Sequence, residues 1–258
     1  ELDSFQAYAA PNIEYRLLRD SAWQFAMLLD TYFNVNEADL QAFNLQHFKP
    51  GVYVDKMSLW GSADVLKRVQ YDYSLDLFDG QTFGNRHALT TSATIFHEAP
   101  TTTILYWTID YTDFQDDGAD PAIDSVDGMT NTVGVSRSWD VTFGALNRID
   151  VGADVQWADL RGSDQAYRGV FIYTRGRVPV WWGIDILPTA GWGYRDYPDF
   201  TGSPSRNEKL IVAGVQLEKQ IASSCRLTSF FNFDDFHSAN DAFRASRYTT
   251  GMFVTVAR

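Results

Sequence analysis

The chain has 258 residues, of which 45% are hydrophobic, 15% aromatic and 21% charged, and its formal net charge is -12. The acidic surplus argues against a nucleic-acid partner, because nucleic-acid phosphates require a basic surface. The one cysteine, Cys225, excludes an intramolecular disulfide framework and a cysteine-based metal cluster. We expect a single domain over residues 1–258, since one all-β domain can reach about 250 residues.

Alternation between polar and apolar residues is the dominant pattern along the chain. In segment 64–77, mainly hydrophobic and aromatic residues on one side alternate with mainly charged and polar residues on the other. The same period of two recurs in 148–157, in 5–17 and in 248–256. Such alternation indicates β-strands whose two faces meet different environments.

Turn signals divide the chain into thirteen predicted strands. In chain order they cover residues 4–18, 22–35, 42–56, 63–78, 86–98, 101–114, 129–142, 147–159, 166–177, 184–196, 208–221, 225–236 and 246–257. Together they occupy more than half of the sequence, and they are far longer than the ~5 to 6 residues of an average soluble strand. A tilted strand needs about 10 residues to cross a bilayer, so these lengths favour membrane-spanning strands.

The predicted connections alternate between short and long. Tight links are expected at 19–21, 99–100, 144–147 and 223–224, and longer polar loops at 36–41, 79–85, 115–128, 159–165, 197–207 and 237–245. Short turns at one end and long loops at the other are typical of outer-membrane barrels, whose long loops are extracellular. We therefore expect the chain to end on the periplasmic side.

These patterns predict an all-β fold, namely a transmembrane antiparallel up-and-down β-barrel. Bacterial barrels formed by one chain usually have an even number of strands. We therefore expect about 14 strands, with 12 and 16 as alternatives; the additional strand would lie either within 175–194 or upstream of Glu1. The start at Glu1, without a methionine or a signal-peptide pattern, predicts a mature or trimmed chain.

The eight tryptophans support a membrane location. Most of them fall near predicted strand ends or on the apolar side, where amphipathic rings prefer the level of the lipid headgroups. The alternative is a soluble sandwich or propeller with these rings in its core, but its strands would be shorter and its loops less one-sided. A membrane-spanning helix is excluded, because no run of about 20 apolar residues occurs.

Three stretches resemble a known family. They are 71–87 (YDYSLDLFDGQTFGNRH), 193–200 (GYRDYPDF) continued by 205–208, and 233–248 (FDDFHSANDAFRASRY). They resemble the outer-membrane β-barrel domains attached to tetratricopeptide-repeat proteins, such as polysaccharide-export porins and surface-lipoprotein assembly modifiers. A Ser-x-Asn before the last strand and an Arg-Tyr entering it are matched in order, by Ser238, Asn240, Arg247 and Tyr248.

The resemblance implies a place in the bacterial outer membrane and a surface polysaccharide or lipoprotein as cargo. Outer-membrane lipid and lipopolysaccharide are the expected surroundings, and periplasmic repeat segments would deliver the cargo. This chain departs from the pattern because it contains no helical repeats and ends in Arg258 rather than in an aromatic residue. The repeats are therefore expected upstream or on a separate export-complex partner.

If the apolar side meets lipid, the charged side lines a lumen. The candidate lumen-lining residues in the clearest strands are Glu14, Arg16, Arg68, Asp72, Asp76, Arg148, Asp150 and Asp154, and Arg137, Arg168 and Arg195 are less certain. Their mixed signs predict either ion pairs between neighbouring strands or a polar channel with charge selectivity. We expect a conduit or anchor across the outer membrane, and a small solute-selective porin is the alternative.

We expect no enzyme activity, and one alternative remains open. Asp235 and His237 are two residues apart and share a strand face, which is the spacing of the Asp-His pair in omptin-like outer-membrane proteases. Ser238 is adjacent to His237 and points to the other face, so the two do not form a nucleophile and base. No second pair of carboxylates completes a protease site.

The acidic segment 115–128 suggests a calcium loop, through Asp116, Asp117, Asp120, Asp124 and Asp127. Clustered carboxylates bind Ca²⁺, but the ligand order and glycine of an EF-hand are missing. We therefore favour a solvated extracellular loop, or a loop that bridges lipopolysaccharide phosphates through divalent ions, over a calcium site. Glycine motifs for phosphates or dinucleotides are missing, so we expect no cofactor.

Overall fold

The structure is a computed structural model, and it describes residues 6–20, 22–36, 44–97, 100–116 and 118–256. Nearly all of the regular structure is β-strand. The strands are β1 (Gln6–Ala9), β2 (Asn12–Arg19), β3 (Trp23–Asn36), β4 (Leu45–Trp60), β5 (Ala63–Phe78), β6 (Gln81–Phe96), β7 (Thr101–Phe114), β8 (Gly128–Phe143), β9 (Leu146–Leu160), β10 (Tyr167–Val180), β11 (Ile184–Asp196), β12 (Asn207–Ala222), β13 (Cys225–Ser238) and β14 (Ala245–Val256). One short helix, α1 (Pro121–Asp124), and two 3₁₀ turns, Trp181–Gly183 and Asp241–Phe243, lie between strands.

The strands form an antiparallel up-and-down sheet in chain order. β1 and β2 share one position, since β1 pairs with the end of β3 and β2 pairs with its beginning. Pro11 separates them, and its carbonyl accepts hydrogen bonds from the backbone N–H and the hydroxyl of Thr31 at 2.9 and 3.0 Å. The fourteen strands therefore occupy thirteen positions, which match the thirteen predicted segments one for one.

The predicted additional strand is not found within 175–194. This segment contains the end of β10, the 3₁₀ turn Trp181–Gly183 and the beginning of β11. The residues upstream of Gln6 lie outside the described part of the chain, so the upstream alternative stays a prediction.

The prediction of a long loop over residues 79–85 is wrong. Asp79 and Gly80 alone connect β5 to β6, and both have left-handed backbone angles, with φ of 47° and 76°. Two such residues form the tight hairpin turn for which Asp-Gly is a strong signal. The polar residues that follow belong to β6, where they alternate across the sheet.

The described residues of the chain fall into two compact units. Unit 1 contains the described residues of Glu1–Thr94, Tyr106–Thr132 and Ala158–Ala166, and unit 2 contains those of Ile95–Leu105, Val133–Trp157 and Tyr167–Arg258. No helix among the described residues has the length and apolar composition required to span a membrane.

In unit 1, the strand register collects apolar side chains on one face. Tyr15, Met27, Val52 and Tyr71 are neighbours across β2, β3, β4 and β5. Tyr15, Met27 and Tyr71 are exposed, as are Ile13 and Val69 on the same face. The opposite face carries charged residues, of which Asp55 and Asp72 are each only 5% exposed.

Unit 2 repeats this arrangement. The exposed large side chains of one face include Val151, Val155, Trp157, Ile172, Trp192, Ile211, Leu217, Phe231, Met252 and Val254. Buried apolar residues are few among the described residues of the whole chain, and they are Ala26, Tyr53, Val65, Ala158 and Tyr197. Soluble proteins bury most of their large apolar residues, so the many exposed and few buried apolar side chains in the described part of each unit reverse the soluble pattern.

Candidate functional site: the polar face of the sheet

A connected polar network centres on Tyr53 in unit 1. The Tyr53 hydroxyl donates to Glu14 Oε1 at 2.7 Å, and Arg16 Nε donates to the same oxygen at 2.6 Å. Gln24 also donates to the Tyr53 hydroxyl. The Arg68 guanidinium lies over the Tyr53 ring, 3.9 Å from its centroid, so one aromatic residue on β4 joins the charged groups of β2 and β5.

Two acidic residues on β5 extend this network. Asp72 accepts from Gln70 Nε2 at 2.9 Å and lies 3.9 Å from Lys49 Nζ. Gly51 faces Asp72 in register, and a Cβ atom on Gly51 would lie 2.3 Å from its Oδ1, so only glycine leaves room for this carboxylate. Asp76 faces His47 at 2.6 Å.

Ion pairs also line the polar face of unit 2. Arg148 Nε donates to Asp150 at 2.9 Å, and its Nη2 donates to the Ser138 hydroxyl at 3.0 Å. Arg177 pairs with Asp185 at 2.5 Å across β10 and β11. Asp154 follows on the same face of β9 by strand alternation.

The eight predicted lumen-lining residues therefore all lie on the polar face of their unit. Asp72 with Lys49 is an ion pair between neighbouring strands, as predicted, whereas Glu14 with Arg16 and Arg148 with Asp150 pair within one strand. That this face lines a lumen stays a prediction. Of the three less certain arginines, Arg195 lies on the polar face. Arg137 lies over Trp139, its neighbour on the apolar side, and Arg168 alternates in phase with the apolar Val170.

Unit 2 contains a pocket that the sequence did not reveal. Its volume is about 240 Å³. Phe171, Leu210 and Phe236 form apolar walls, and the glycines at 169 and 193 leave the space open. Gln156, Arg195 and Glu208 supply the polar lining. None of these apolar residues was assigned to a site from the sequence, because they lie on three different strands that only the register brings together.

A buried polar cluster supports one side of this pocket. Arg206 Nη2 lies 2.7 Å from Glu208, and its guanidinium lies between the rings of Tyr197 and Phe243, 3.8 and 3.9 Å from their centroids. The Tyr197 hydroxyl donates to Glu208 at 3.0 Å. Burial, together with the charge of Glu208, raises the pKa of the Tyr197 hydroxyl to about 12.

The candidate protease residues are in contact with each other. His237 Nδ1 lies 3.0 Å from Asp235, as their spacing predicted. Ser246 donates its hydroxyl hydrogen bond to Asp235 at 2.6 Å, rather than to the histidine. Both Asp235 and His237 alternate in phase with the exposed apolar Phe231, opposite to the polar face. Protease activity stays an untested alternative, and the contact between Asp235 and His237 is the observation that supports it.

The acidic segment uses its carboxylates locally. Asp116, Asp120 and Asp127 accept backbone N–H groups of Gly118, Ala122 and Phe114, at 2.9, 3.1 and 2.7 Å. Asp124 accepts from the backbone of Asp120 at 3.1 Å. Asp117 lies outside the described residues. Three or more candidate ligands do not converge in the part of the chain that the structure describes.

The same segment packs against the next loop. The backbone N–H groups of Gly162, Ser163 and Asp164 donate to carbonyls of the segment that contains α1, at 3.0, 2.9 and 3.1 Å. Ser125, at this contact, is 1% exposed. Most of the other described residues of this segment are exposed, and that it forms a solvated extracellular loop stays a prediction.

No protein-family model matches the sequence, and a comparison with curated proteins likewise gives no match.

Proposed function

We propose that this chain is a transmembrane β-barrel of the bacterial outer membrane that acts as a conduit or anchor. The observation that carries the proposal is the reversed distribution of side chains in each unit. In a membrane, lipid would cover the exposed apolar face. In water the same face would stay hydrated, which costs about 25 cal/mol of free energy per Å² of apolar surface. Charged residues of the opposite face would line the interior.

Strand length supports the same proposal. Most strands have 14 to 16 residues, as in β3 with 14 and β4 with 16. A tilted strand needs about 9 to 11 residues to cross the hydrocarbon, so each long strand would also extend beyond one surface.

Aromatic residues occur at two levels along the strands. Trp181 and Trp182 are 71% and 78% exposed in the turn between β10 and β11, and Trp192 lies further along β11. From Ile184, where β11 begins directly after the turn, to Trp192 the extended strand covers about 26 Å, or about 20 Å along the membrane normal at a tilt of ~40°. This distance is close to the height of about 25 Å of the apolar band that aromatic residues border in outer-membrane barrels.

Closure of the sheet is part of the proposal. Thirteen antiparallel positions give the first and last strands the same direction, so direct pairing between them would be parallel. One further strand would restore the usual even number. The cargo, a surface polysaccharide or lipoprotein, and the periplasmic repeat partner come from the family resemblance alone.

Two measurements test the membrane barrel. In mild detergent, an unboiled sample should migrate faster than a boiled one on a gel, because the barrel stays compact. Solubility of the folded chain without detergent would contradict the proposal.

The conduit is tested separately in planar bilayers. Single channels should conduct ions, and neutralising Arg68 and Asp72 with glutamine and asparagine should change the ratio of cation to anion permeability. A folded barrel without conductance would favour the anchor, whereas conductance that saturates with one class of small solute would favour the porin.

A further inference from the structure

The pocket of unit 2 combines apolar walls with a cationic group. Phe171 and Phe236 provide aromatic surface, and Leu210 lies between them in register. A Cβ atom on Gly193 would lie 3.0 Å from the Phe171 ring and 3.5 Å from Leu210 Cβ. Glycine at this position therefore maintains the space in front of the aromatic wall.

Charge in the pocket is unbalanced. Glu208 already accepts hydrogen bonds from Arg206 and from the Tyr197 hydroxyl, at 2.8 and 3.0 Å. Arg195 faces Glu208 in register, but its guanidinium lies over the Tyr167 ring, 4.7 Å from the centroid, and no ion pair joins it to a carboxylate among the described residues. The pocket thus offers a half-buried guanidinium whose five N–H donors suit a carboxylate.

Gln156 adds a neutral polar group. Its side-chain oxygen accepts a long hydrogen bond from the Tyr167 hydroxyl at 3.4 Å, and its amide N–H₂ group is a potential donor to a ligand. The volume of about 240 Å³ is below that of sites for drug-sized ligands, so a small molecule fits best.

We propose that this pocket binds a small monocarboxylate with a flat aromatic body. Arg195 holds the carboxylate through charge-assisted hydrogen bonds, and the ring packs against Phe171 and Phe236. Such binding goes beyond the proposed conduit and does not depend on it, because it is measured on the purified chain without ion flow.

The test is calorimetric titration of the full chain in detergent micelles with sodium benzoate. We expect saturable binding of one benzoate per chain. Benzamide has the same ring without the charge, benzylammonium has the opposite charge, and acetate has the carboxylate without the ring. Each should bind at least about tenfold more weakly. Equal affinity for acetate or benzamide, or no saturable binding of benzoate, would overturn the proposal.

Variants locate the site. Arg195→Gln should weaken benzoate binding by about tenfold or more, whereas Arg195→Lys should retain part of the affinity because the charge remains. Leu210→Trp should abolish binding by filling the cavity. Arg175→Gln is the matched control, since Arg175 is exposed on the same strand face as Phe171 but is not part of the pocket lining, and it should bind like the wild type.

Gel migration of unboiled samples establishes that each variant is folded. Unchanged benzoate affinity in folded Arg195→Gln and Leu210→Trp would overturn the assignment to this pocket. If the wild-type chain binds benzoate but conducts no ions in planar bilayers, the result would count against the proposed conduit and not against the proposed pocket.

Discussion

Arg68 on β5 faces Asp55 on β4, and its Nε and Nη2 donate to the two carboxylate oxygens at 2.7 and 2.8 Å. This bidentate pair fixes both side chains while Tyr53 supports the guanidinium from one side. Asp55 is almost fully buried, so its charge depends on the arginine for compensation.

Asp55→Asn should lower the free energy of unfolding by about 1 to 3 kcal/mol, because it removes a charge-assisted pair and leaves Arg68 without its partner. Urea-induced unfolding in lipid vesicles measures the change. Asp64→Asn is the control, since Asp64 is an exposed residue on β5, the strand of Arg68, and should change stability by less than about 0.5 kcal/mol. Equal effects of the two substitutions would contradict the structural role of the pair.

Val69→Arg and Gln70→Arg place the same side chain on opposite faces of β5. Val69 is exposed among apolar residues, and Gln70 lies beside Asp72 on the polar face. In a membrane barrel, Val69→Arg should cost about 2 to 4 kcal/mol of folding free energy, whereas Gln70→Arg should be nearly neutral. Folding titrations in lipid vesicles measure both variants. A neutral Val69→Arg would argue that this face does not contact hydrocarbon.

Tyr197 should remain protonated at pH 11. Its pKa is raised to about 12 because the hydroxyl is buried beside Glu208. An unfolded tyrosine ionises near pH ~10, so the stabilisation from this residue is complete below pH ~10 and is lost as the pH rises to about 12. The increase in absorbance at 295 nm between pH 7 and pH ~11 should therefore be the same for the wild type and for Tyr197→Phe. A smaller increase in the variant would mean that Tyr197 titrates normally.

Gly162→Val should detach the segment 115–127 from its neighbouring loop. A Cβ atom on Gly162 would lie 2.5 Å from both the backbone nitrogen and the carbonyl oxygen of Ser125, and backbone atoms cannot rotate away. We expect faster cleavage of this segment by added protease at constant global stability. Ser163→Ala, next to it, keeps the backbone hydrogen bond and should be cleaved at the wild-type rate.

The sequence was sufficient to place the strands, because alternation persists over many residues and few competing patterns interrupt it. It also identified the polar face, since a strand's period of two assigns Arg68 and Asp72 to one side without further information. The prediction of a long loop over 79–85 was wrong because the polar composition of the segment was given more weight than its Asp-Gly dipeptide, which favours a two-residue hairpin turn. Register is not encoded in the composition of one strand, so the meeting of Phe171, Leu210 and Phe236 required the structure.

The cross-strand ion pairs described above have a consequence for the order of assembly. Arg68 and Asp55 are separated by 13 residues and Arg177 and Asp185 by 8, and a further pair, Arg86 on β6 with Asp110 on β7 at 2.6 Å, by 24. Each pair joins two strands that are consecutive in the chain. Each of these ion pairs can form as soon as its own hairpin closes, before any distant strand arrives. Closing a short loop costs less entropy than closing a long one, so these charges are compensated early in folding and the pairing of distant strands can come last.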